Sequence, residues 1–418
     1  MHRGEPEEVR APSARPERPW LFGLLIAPMA VLSNGVIGGA LSYLLRGQGV
    51  GPARGAGIVA LLSLPQTIYF LWSPITDFWM RRRTWLMVAA AAAALAMLAA
   101  FHAPSLAASS AVGLIFLSAC LGQLIVAGCG GMMGTLPSEA GRRRASSFYQ
   151  GGSLAFGALA VFVLVSLSSR LSLGMLGWIC AALIALPSLA ALAAPGQKTV
   201  SEDGARQTLA RIWREFKTTF LRWEAIPYTL TITLPMGSGA LIALLPGLAA
   251  DYHISGQQVA WINGVGGALL MAAGALSASL LPARVRAPVA YLLVCLVNAV
   301  ALAILGLGPL RPRVYFVGTV LFLFTIGACY AFFTAVVLEF LGGSGKSGSA
   351  RYAIINSLGN IPVAYMEFLD GRSYALWGAH AMPAGDALLS AVCGVLMLVY
   401  FLTRRRAQPP AAARLRGA

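Results

Sequence analysis

Long apolar runs alternate with short polar intervals along almost the whole chain. A helix that crosses a bilayer needs about 20 mostly apolar residues, and twelve runs reach that length. The runs cover residues 20–45, 55–79, 84–103, 107–135, 146–169, 173–194, 226–250, 256–281, 287–309, 313–341, 350–377 and 383–403. The pattern therefore predicts an all-α integral membrane protein with twelve transmembrane helices.

The composition agrees with this pattern and excludes two classes of protein. Only 11% of the 418 residues are charged and 58% are hydrophobic, whereas about a quarter of an ordinary soluble chain is charged. So few charges do not cover a water-soluble globule of this size, which excludes a soluble enzyme. The formal net charge is +16, but the basic residues form short clusters between apolar runs, so we do not expect nucleic acid as a partner.

The reactive side chains predict neither a metal nor a cofactor. All six cysteines lie inside apolar runs without a CxxC pair, and the four histidines lie in the tail or at span ends. The chain contains no GxxxxGK[ST] loop, so we do not expect it to hydrolyse ATP. A membrane-embedded transferase is disfavoured because it needs converging acids, bases or metal ligands. A non-transporting membrane sensor of the same fold stays open as an alternative.

The distribution of Lys and Arg predicts the orientation. Positive residues near span ends are retained on the cytoplasmic side. The two tails and the even-numbered loops carry 25 of the 31, and the odd-numbered loops carry 6. We therefore expect a multi-pass protein of the cell (inner) membrane with both termini in the cytoplasm. The first run follows nineteen Pro- and Arg-containing residues and is too long for a signal peptide.

One long polar interval divides the chain. We predict a cytoplasmic tail (1–19), an N-terminal six-helix bundle (20–195), a linker (196–225), a C-terminal six-helix bundle (226–403) and a basic tail (404–418). Apolar residues recur in the linker at steps of three or four, which predicts a helix on the membrane surface. A solvated linker helix is the alternative.

The two bundles contain related segments. Residues 137–159 and 338–360 each hold an acid, a Gly/Ser/basic loop and a helix that opens with small residues and Tyr, at an offset of about 205 residues. Residues 73–88 and 279–294 each contain a short basic turn between two spans. Duplicated bundles are typical of transporters that alternate access to a central site.

The stretch Asp77-Phe-Trp-Met-Arg81-Arg82-Arg83 resembles the signature loop of the major facilitator superfamily, although Met80 and Ser73 replace its usual glycines. Together with LPSEAGRRRASSFYQGG, it is similar to the branch that holds AmpG-type muropeptide permeases and acetyl-CoA transporters. The resemblance implies two pseudo-symmetric six-helix bundles that move a small polar organic solute by alternating access, in symport with protons. It also implies that Asp77 and Arg81 act as a cytoplasmic latch. The alternative is that the arginines only set topology.

Polar residues inside spans are the candidates for the solute path, because they are costly when they face lipid. These are Asn34, Gln66, Tyr69, Gln123, Tyr149, Gln150, Thr231, Thr233, Asn263, Asn298, Tyr330, Asn356, Asn360 and Tyr365. Each is about as well explained by a helix-to-helix hydrogen bond. Few cations lie inside the spans, which favours a neutral or weakly acidic solute.

The eleventh span carries Glu367, Asp370 and Arg372. Two acids face one base, and a carboxylate in an apolar environment is costly in its charged form, so Glu367 and Asp370 are candidates for proton coupling. A salt-bridged helix end is the alternative. Prolines such as Pro235 interrupt spans and free backbone carbonyls. We expect a monomer that contacts the lipid bilayer and one small solute.

Overall fold

The computed structural model describes residues 18–77, 79–134, 136, 139–194, 207, 210, 213–214, 216–217, 220–221, 223–277, 285–341, 354–355 and 357–407. The helices of the N-terminal half are α1 (Leu21–Gly47), α2 (Pro52–Leu71), α3 (Arg82–Phe101), α4 (Ser109–Gly134), α5 (Glu139–Leu167) and α6 (Leu173–Ala193). Short odd-numbered loops at 48–51, 102–108 and 168–172 join them at one end of the molecule. We call this end the odd-loop face.

The C-terminal half repeats the arrangement. Its helices are α7a (Ile226–Thr233), α7b (Leu241–Leu248), α8 (Gly256–Ser277), α9 (Ala287–Leu307), α10 (Pro312–Leu341), α11 (Ile361–Trp377) and α12 (Ala381–Ala407). The loops at 249–255, 308–311 and 378–380 also lie at the odd-loop face. The opposite end of the molecule is the even-loop face.

Ten of these helices are long and apolar enough to cross a membrane. The other two predicted spans correspond to α7, which is interrupted between Thr233 and Leu241, and to α11, which has 17 residues. No strand occurs in the described residues. The order of elements therefore follows the predicted all-helical pattern, with one span broken in the middle.

Three pairs of corresponding helices begin at a nearly constant offset. Helices α2 and α8 begin 204 residues apart and α4 and α10 begin 203 apart. Arg81 and Arg286, 205 residues apart, occupy the N-cap positions of α3 and α9 with nearly identical backbone angles. These offsets support a duplicated architecture, although the predicted domain boundaries themselves stay a prediction.

Three apolar clusters hold the helices together. One belongs to the N-terminal half, and another belongs to the C-terminal half apart from Phe70 of α2, which packs against it. The largest cluster combines both halves, with Leu41 and Leu45 of α1 beside Leu241 and Leu245 of α7b. Since these leucines lie near the odd-loop face, burial of apolar surface joins the halves at that end.

The structure differs from the predicted runs at several ends. Helix α2 ends at Leu71 rather than at residue 79, and a separate short helical turn follows at Ser73–Asp77. Helix α5 begins at Glu139 rather than at residue 146. Hydropathy misplaced these ends because the first helical turn of α5 is polar, whereas the turn after α2 is apolar.

The basic loop between α2 and α3 packs within its own half. The Arg82 guanidinium donates to the Gly131 carbonyl of α4 at 2.7 Å, and Arg83 donates to the Ala194 carbonyl at 3.5 Å. Arg81 is exposed, and the Asp77 side chain lies outside the described residues. The Asp77–Arg81 latch therefore stays a prediction.

The linker is described at only a few positions. Residues 213, 214, 216, 217 and 220 have helical backbone, the Trp213 and Phe216 rings stack at 5.6 Å, and the Lys217 ammonium lies 5.2 Å from the Trp213 ring. Phe220 is buried in the C-terminal cluster. The membrane-surface position of this segment stays a prediction.

Candidate functional site

A cavity of about 450 Å³ lies between the two halves. It is bounded by α1, α2, α4 and α5 on one side and by α7, α8, α9, α10 and α11 on the other. Most of the polar residues proposed from the sequence line it. They are Asn34, Gln66, Tyr69, Gln123, Tyr149, Gln150, Asn263, Tyr330, Asn360 and Glu367.

Two of the lining asparagines sit where a helix widens into π-helical turns. Asn34 lies in the π-helical stretch Ala30–Ala40 of α1 and Asn263 in Ala260–Gly266 of α8. The Asn34 amide donates to the Ser153 hydroxyl of α5 at 3.0 Å, and the Asn263 amide oxygen accepts from Tyr315 at 3.0 Å. Such wide turns are common at functional sites, and both asparagines line the cavity.

Three glutamines in the N-terminal half have side-chain amides available to bind a solute. Gln66, Gln123 and Gln150 come from α2, α4 and α5, and within the described residues their side chains make no hydrogen bond. An amide offers both donors and acceptors. The Asn360 amide, by contrast, is already used, because it donates to the Gln66 backbone carbonyl across the two halves at 3.3 Å.

Glu367 is the single acid or base among the described lining residues. Its side chain is only 2% exposed, its Oε2 atom has no hydrogen-bond partner among the described residues, and Ser63 of α2 is its polar neighbour. Asp370 lies one turn further along α11, equally buried, behind the cavity wall. Arg372 is exposed, so the structure does not show the salt bridge considered from the sequence.

The break in α7 forms part of the cavity wall. Gly237 and Gly239 have φ of +60° and +75°, a region that glycine enters without strain. Four hydroxyls from the other C-terminal helices donate to the carbonyls that the break frees. These bonds are Tyr365 to Thr233 (2.9 Å), Ser390 to Pro235 (3.2 Å), Tyr291 to Met236 (2.6 Å) and Tyr330 to Ser238 (3.5 Å).

The odd-loop face is closed by contacts between the halves. The Arg46 guanidinium at the end of α1 lies 3.0 Å from the Asp251 carboxylate, which also accepts the Tyr374 hydroxyl at 3.2 Å. Deeper in the molecule, the Ser42 hydroxyl donates to the Ala243 carbonyl of α7b at 2.5 Å. We call Arg46, Asp251 and Tyr374 the odd-face latch.

Helices α2 and α11 approach closely on the same side. A Cβ atom on Gly371 would lie 2.7 Å from the Ala56 side chain and 3.1 Å from the Ala53 carbonyl. Glycine at this position therefore allows a helix contact that a larger residue blocks.

Tyr252 lies in the loop at 249–255, beside the odd-face latch. Burial and the nearby Asp251 raise the pKa of Tyr252 to about 12, and its hydroxyl donates to the Leu305 carbonyl at 2.7 Å.

Several candidates lie away from the cavity. Asn298 is buried between α9 and α10, where its amide donates to the Phe322 carbonyl and the Thr325 hydroxyl, so it joins two helices. Thr231 and Thr233 donate within their own helix. Asn356 lies outside the described residues.

The sequence did not reveal two features of the site. The odd-face latch was missed because Arg46 and Asp251 are 205 residues apart in separate loops. Asp386 of α12, which is 2% exposed, was missed because it lies in the first two turns of its span, where an acid resembles a surface residue. No local signal identified either feature.

No protein-family model matches the chain, and no curated protein matches its sequence. Solved structures do match. The nucleoside transporter NupG is 13% identical over 92% of this chain and 98% of its own, with a TM-score of 0.68. A POT family transporter crystallised with 5-aminolevulinic acid is 10% identical over 91% and 95% of the chains, with a TM-score of 0.71.

A D-xylose-proton symporter is 13% identical over 91% of this chain and 95% of its own, with a TM-score of 0.69. The chain has the major facilitator fold. In this fold the described cavity occupies the space between two bundles, and both bundles contribute to its lining. The fold predicted from the sequence is thereby confirmed.

Proposed function

We propose that this chain is a secondary transporter that moves an uncharged polar organic solute through its central cavity by alternating access. The observation that carries the proposal is the cavity between the two bundles, whose odd-loop face is closed by side-chain contacts that are able to separate, such as the ion pair between Arg46 and Asp251. A volume of about 450 Å³ lies within the range of about 300–1,000 Å³ usual for small-molecule sites.

The lining favours an uncharged solute. Its described part contains six amides and four tyrosines but no Lys or Arg, so it offers hydrogen bonds in both directions and no counter-charge for an anion. Glu367 would repel an anion when ionised. A solute with several hydroxyl or amide groups fits this chemistry, and Gln66, Gln123 and Gln150 are its proposed main contacts.

Glu367 and Asp370 are the proposed proton-coupling residues. Both are buried without a cation beside them among the described residues, and an isolated buried carboxylate is strongly disfavoured in its charged form. Taking up and releasing protons as the cavity changes its exposure would couple solute movement to a proton gradient.

The excess of basic residues at the even-loop face supports a cytoplasmic location for that face and for both termini, in a cell (inner) membrane. The cavity would then face the cytoplasm in this conformation. Asp77 and Arg81 would form the cytoplasmic latch. A monomer as the transporting unit stays a prediction. The two loops quoted above support the branch of AmpG-type muropeptide permeases and acetyl-CoA transporters.

Exchange of labelled solute in proteoliposomes tests the proposal. Neutral sugar–peptide conjugates, sugars and nucleosides are compared with phosphate esters. For the solute that exchanges, Gln123→Leu should slow exchange about tenfold, because a polar group of the bound solute loses its partner. Gln257→Leu, at an exposed position outside the cavity, should exchange like the wild type. Exchange of phosphate esters alone, or an unaffected Gln123→Leu variant, would contradict the proposal.

A further inference from the structure

A third buried carboxyl lies behind the cavity wall. Asp386 of α12 is 2% exposed and lies within electrostatic range of Asp370 on α11, which in turn interacts with Glu367. The Oδ2 atom of Asp370 is buried and has no hydrogen-bond partner among the described residues. Three carboxylates in such a place cannot all be ionised, because buried charges need compensation.

The groups around Asp386 contain no compensating cation in the described part of the chain. Helix α11 contributes Glu367, Asp370 and Tyr365, and α12 contributes Cys393. Helix α10 contributes Tyr330, which interacts with Glu367. A proton is therefore the simplest positive charge to neutralise Asp386.

The hydrogen bonds of Ser390 indicate where that proton sits. The Ser390 Oγ atom lies 3.1 Å from Asp386 Oδ1 and 3.2 Å from the Pro235 carbonyl oxygen in the α7 break. A hydroxyl has one proton and satisfies only one of two acceptors. If Asp386 is protonated, it donates to Ser390, and Ser390 donates to Pro235. Both contacts are then true hydrogen bonds.

Loss of the proton changes the contact with α7. An ionised Asp386 attracts the Ser390 hydroxyl, because hydrogen bonds to charged groups are stronger than neutral ones. The Pro235 carbonyl then keeps only its 3.4 Å bond from the Ser238 backbone. Beyond the break, α7b holds the two halves together through the bond between Ser42 and Ala243.

We propose that Asp386 binds a proton, and that Ser390 transmits its presence to the broken helix α7. The bound proton holds the break in the form that closes the odd-loop face, and its release favours opening. Asp386 is thus a proton-binding residue and Ser390 a positioning residue. The role of Asp386 in coupling rests on the proposed transport function, but the conformational effect is testable without any solute.

The test measures the distance between the halves at the odd-loop face. Spin labels are placed at two exposed positions, Arg170 after α5 and Leu307 at the end of α9, with Cys120 and Cys393 changed to alanine. The protein is studied in nanodiscs from pH 5 to pH 9 in potassium buffer. In the wild type, the population with the short distance between the labels should fall about fivefold relative to the population with the long distance as pH rises, as expected from one lost hydrogen bond.

Two variants separate protonation from simple structural damage. Asp386→Asn keeps a donor toward Ser390 at every pH, so it should stay closed and lose the pH response. Ser390→Ala removes the donor to Pro235, so it should also lose the pH response but stay open. Ser277→Ala, which removes a bond within a helical turn of α8, should behave like the wild type.

Three results would overturn the proposal. They are a wild-type pH response in Asp386→Asn, a closed Ser390→Ala variant, and a distance change driven by sodium ions instead of pH. Failure of the transport proposal would appear separately, as absence of solute exchange in a wild type whose distances still respond to pH.

Discussion

The odd-face latch gives the sharpest prediction about conformational change. Arg46 and Asp251 join the two halves at 3.0 Å, with 32% and 17% of their side chains exposed. Arg46→Gln removes the charge that Asp251 pairs with, and Asp251 keeps the Tyr374 hydroxyl as a donor. The odd-loop face of the variant should therefore open more often than that of the wild type.

The size of the effect follows from the partial burial of the pair. Exposed ion pairs contribute about 0.2–1 kcal/mol, and hydrogen bonds to buried charged groups contribute about 1.5–3 kcal/mol. At intermediate exposure we expect about 1 kcal/mol, which corresponds to a roughly fivefold rise in the open population. A double-mutant cycle with Asp251→Asn should return a coupling energy of similar size.

The assay follows the chemical labelling of a cysteine introduced by Ile37→Cys, on α1 in the cavity wall. An impermeant thiol reagent added from the odd-loop side reaches it only when that face opens, so its reaction rate reports the open population. Arg54→Gln is the matched control, because Arg54 is at the same face but donates to Ala107 within its own half. Equal rates in the Arg46 and Arg54 variants, or strictly additive effects in the cycle, would refute the latch.

Three further predictions follow from the packing and the buried acids. Gly371→Leu should prevent α2 and α11 from meeting at their present distance and increase labelling at position 37, whereas unchanged labelling would show that this contact does not close the face. Asn298→Leu should lower the free energy of unfolding by about 1–3 kcal/mol, since the Thr325 hydroxyl and the Phe322 carbonyl lose their donor. Solute affinity should stay the same, and weakened binding without destabilisation would contradict this role. Glu367→Gln should retain solute exchange but show a weaker pH dependence than the wild type, since one of the buried carboxyls no longer titrates, and a wild-type pH profile would exclude Glu367 from coupling.

Hydropathy alone predicted the order of the spans because each apolar run is long enough to cross the bilayer and the charges cluster between runs. It did not predict how α7 is divided, although Pro235 marks the place. The break depends on hydroxyls of Tyr291, Tyr330 and Ser390, which come from three other helices. Hydrogen bonds between backbone carbonyls and side chains distant in the sequence leave no local sequence pattern.

The candidate site was predictable to the extent that lipid rejects polar side chains. That rule placed Gln66, Gln123 and Gln150 among the candidates, and all three line the cavity. The same rule does not distinguish a residue that faces the cavity from one that joins two helices, which is why Asn298 belonged to the same set. Rotation of each helix about its own axis decides between the two outcomes, and tertiary packing sets that rotation.

The central claim is that the two halves separate at the odd-loop face to let a solute reach the cavity. The direct test places cysteines at Arg46 and Asp251 and measures solute exchange in proteoliposomes before and after they are joined by a short reducible cross-linker. The account predicts that exchange falls to background when the cysteines are joined and recovers after reduction. The cross-linker should not change the exchange rate of either single-cysteine variant. Exchange that continues at the uncrosslinked rate in fully cross-linked protein would contradict it.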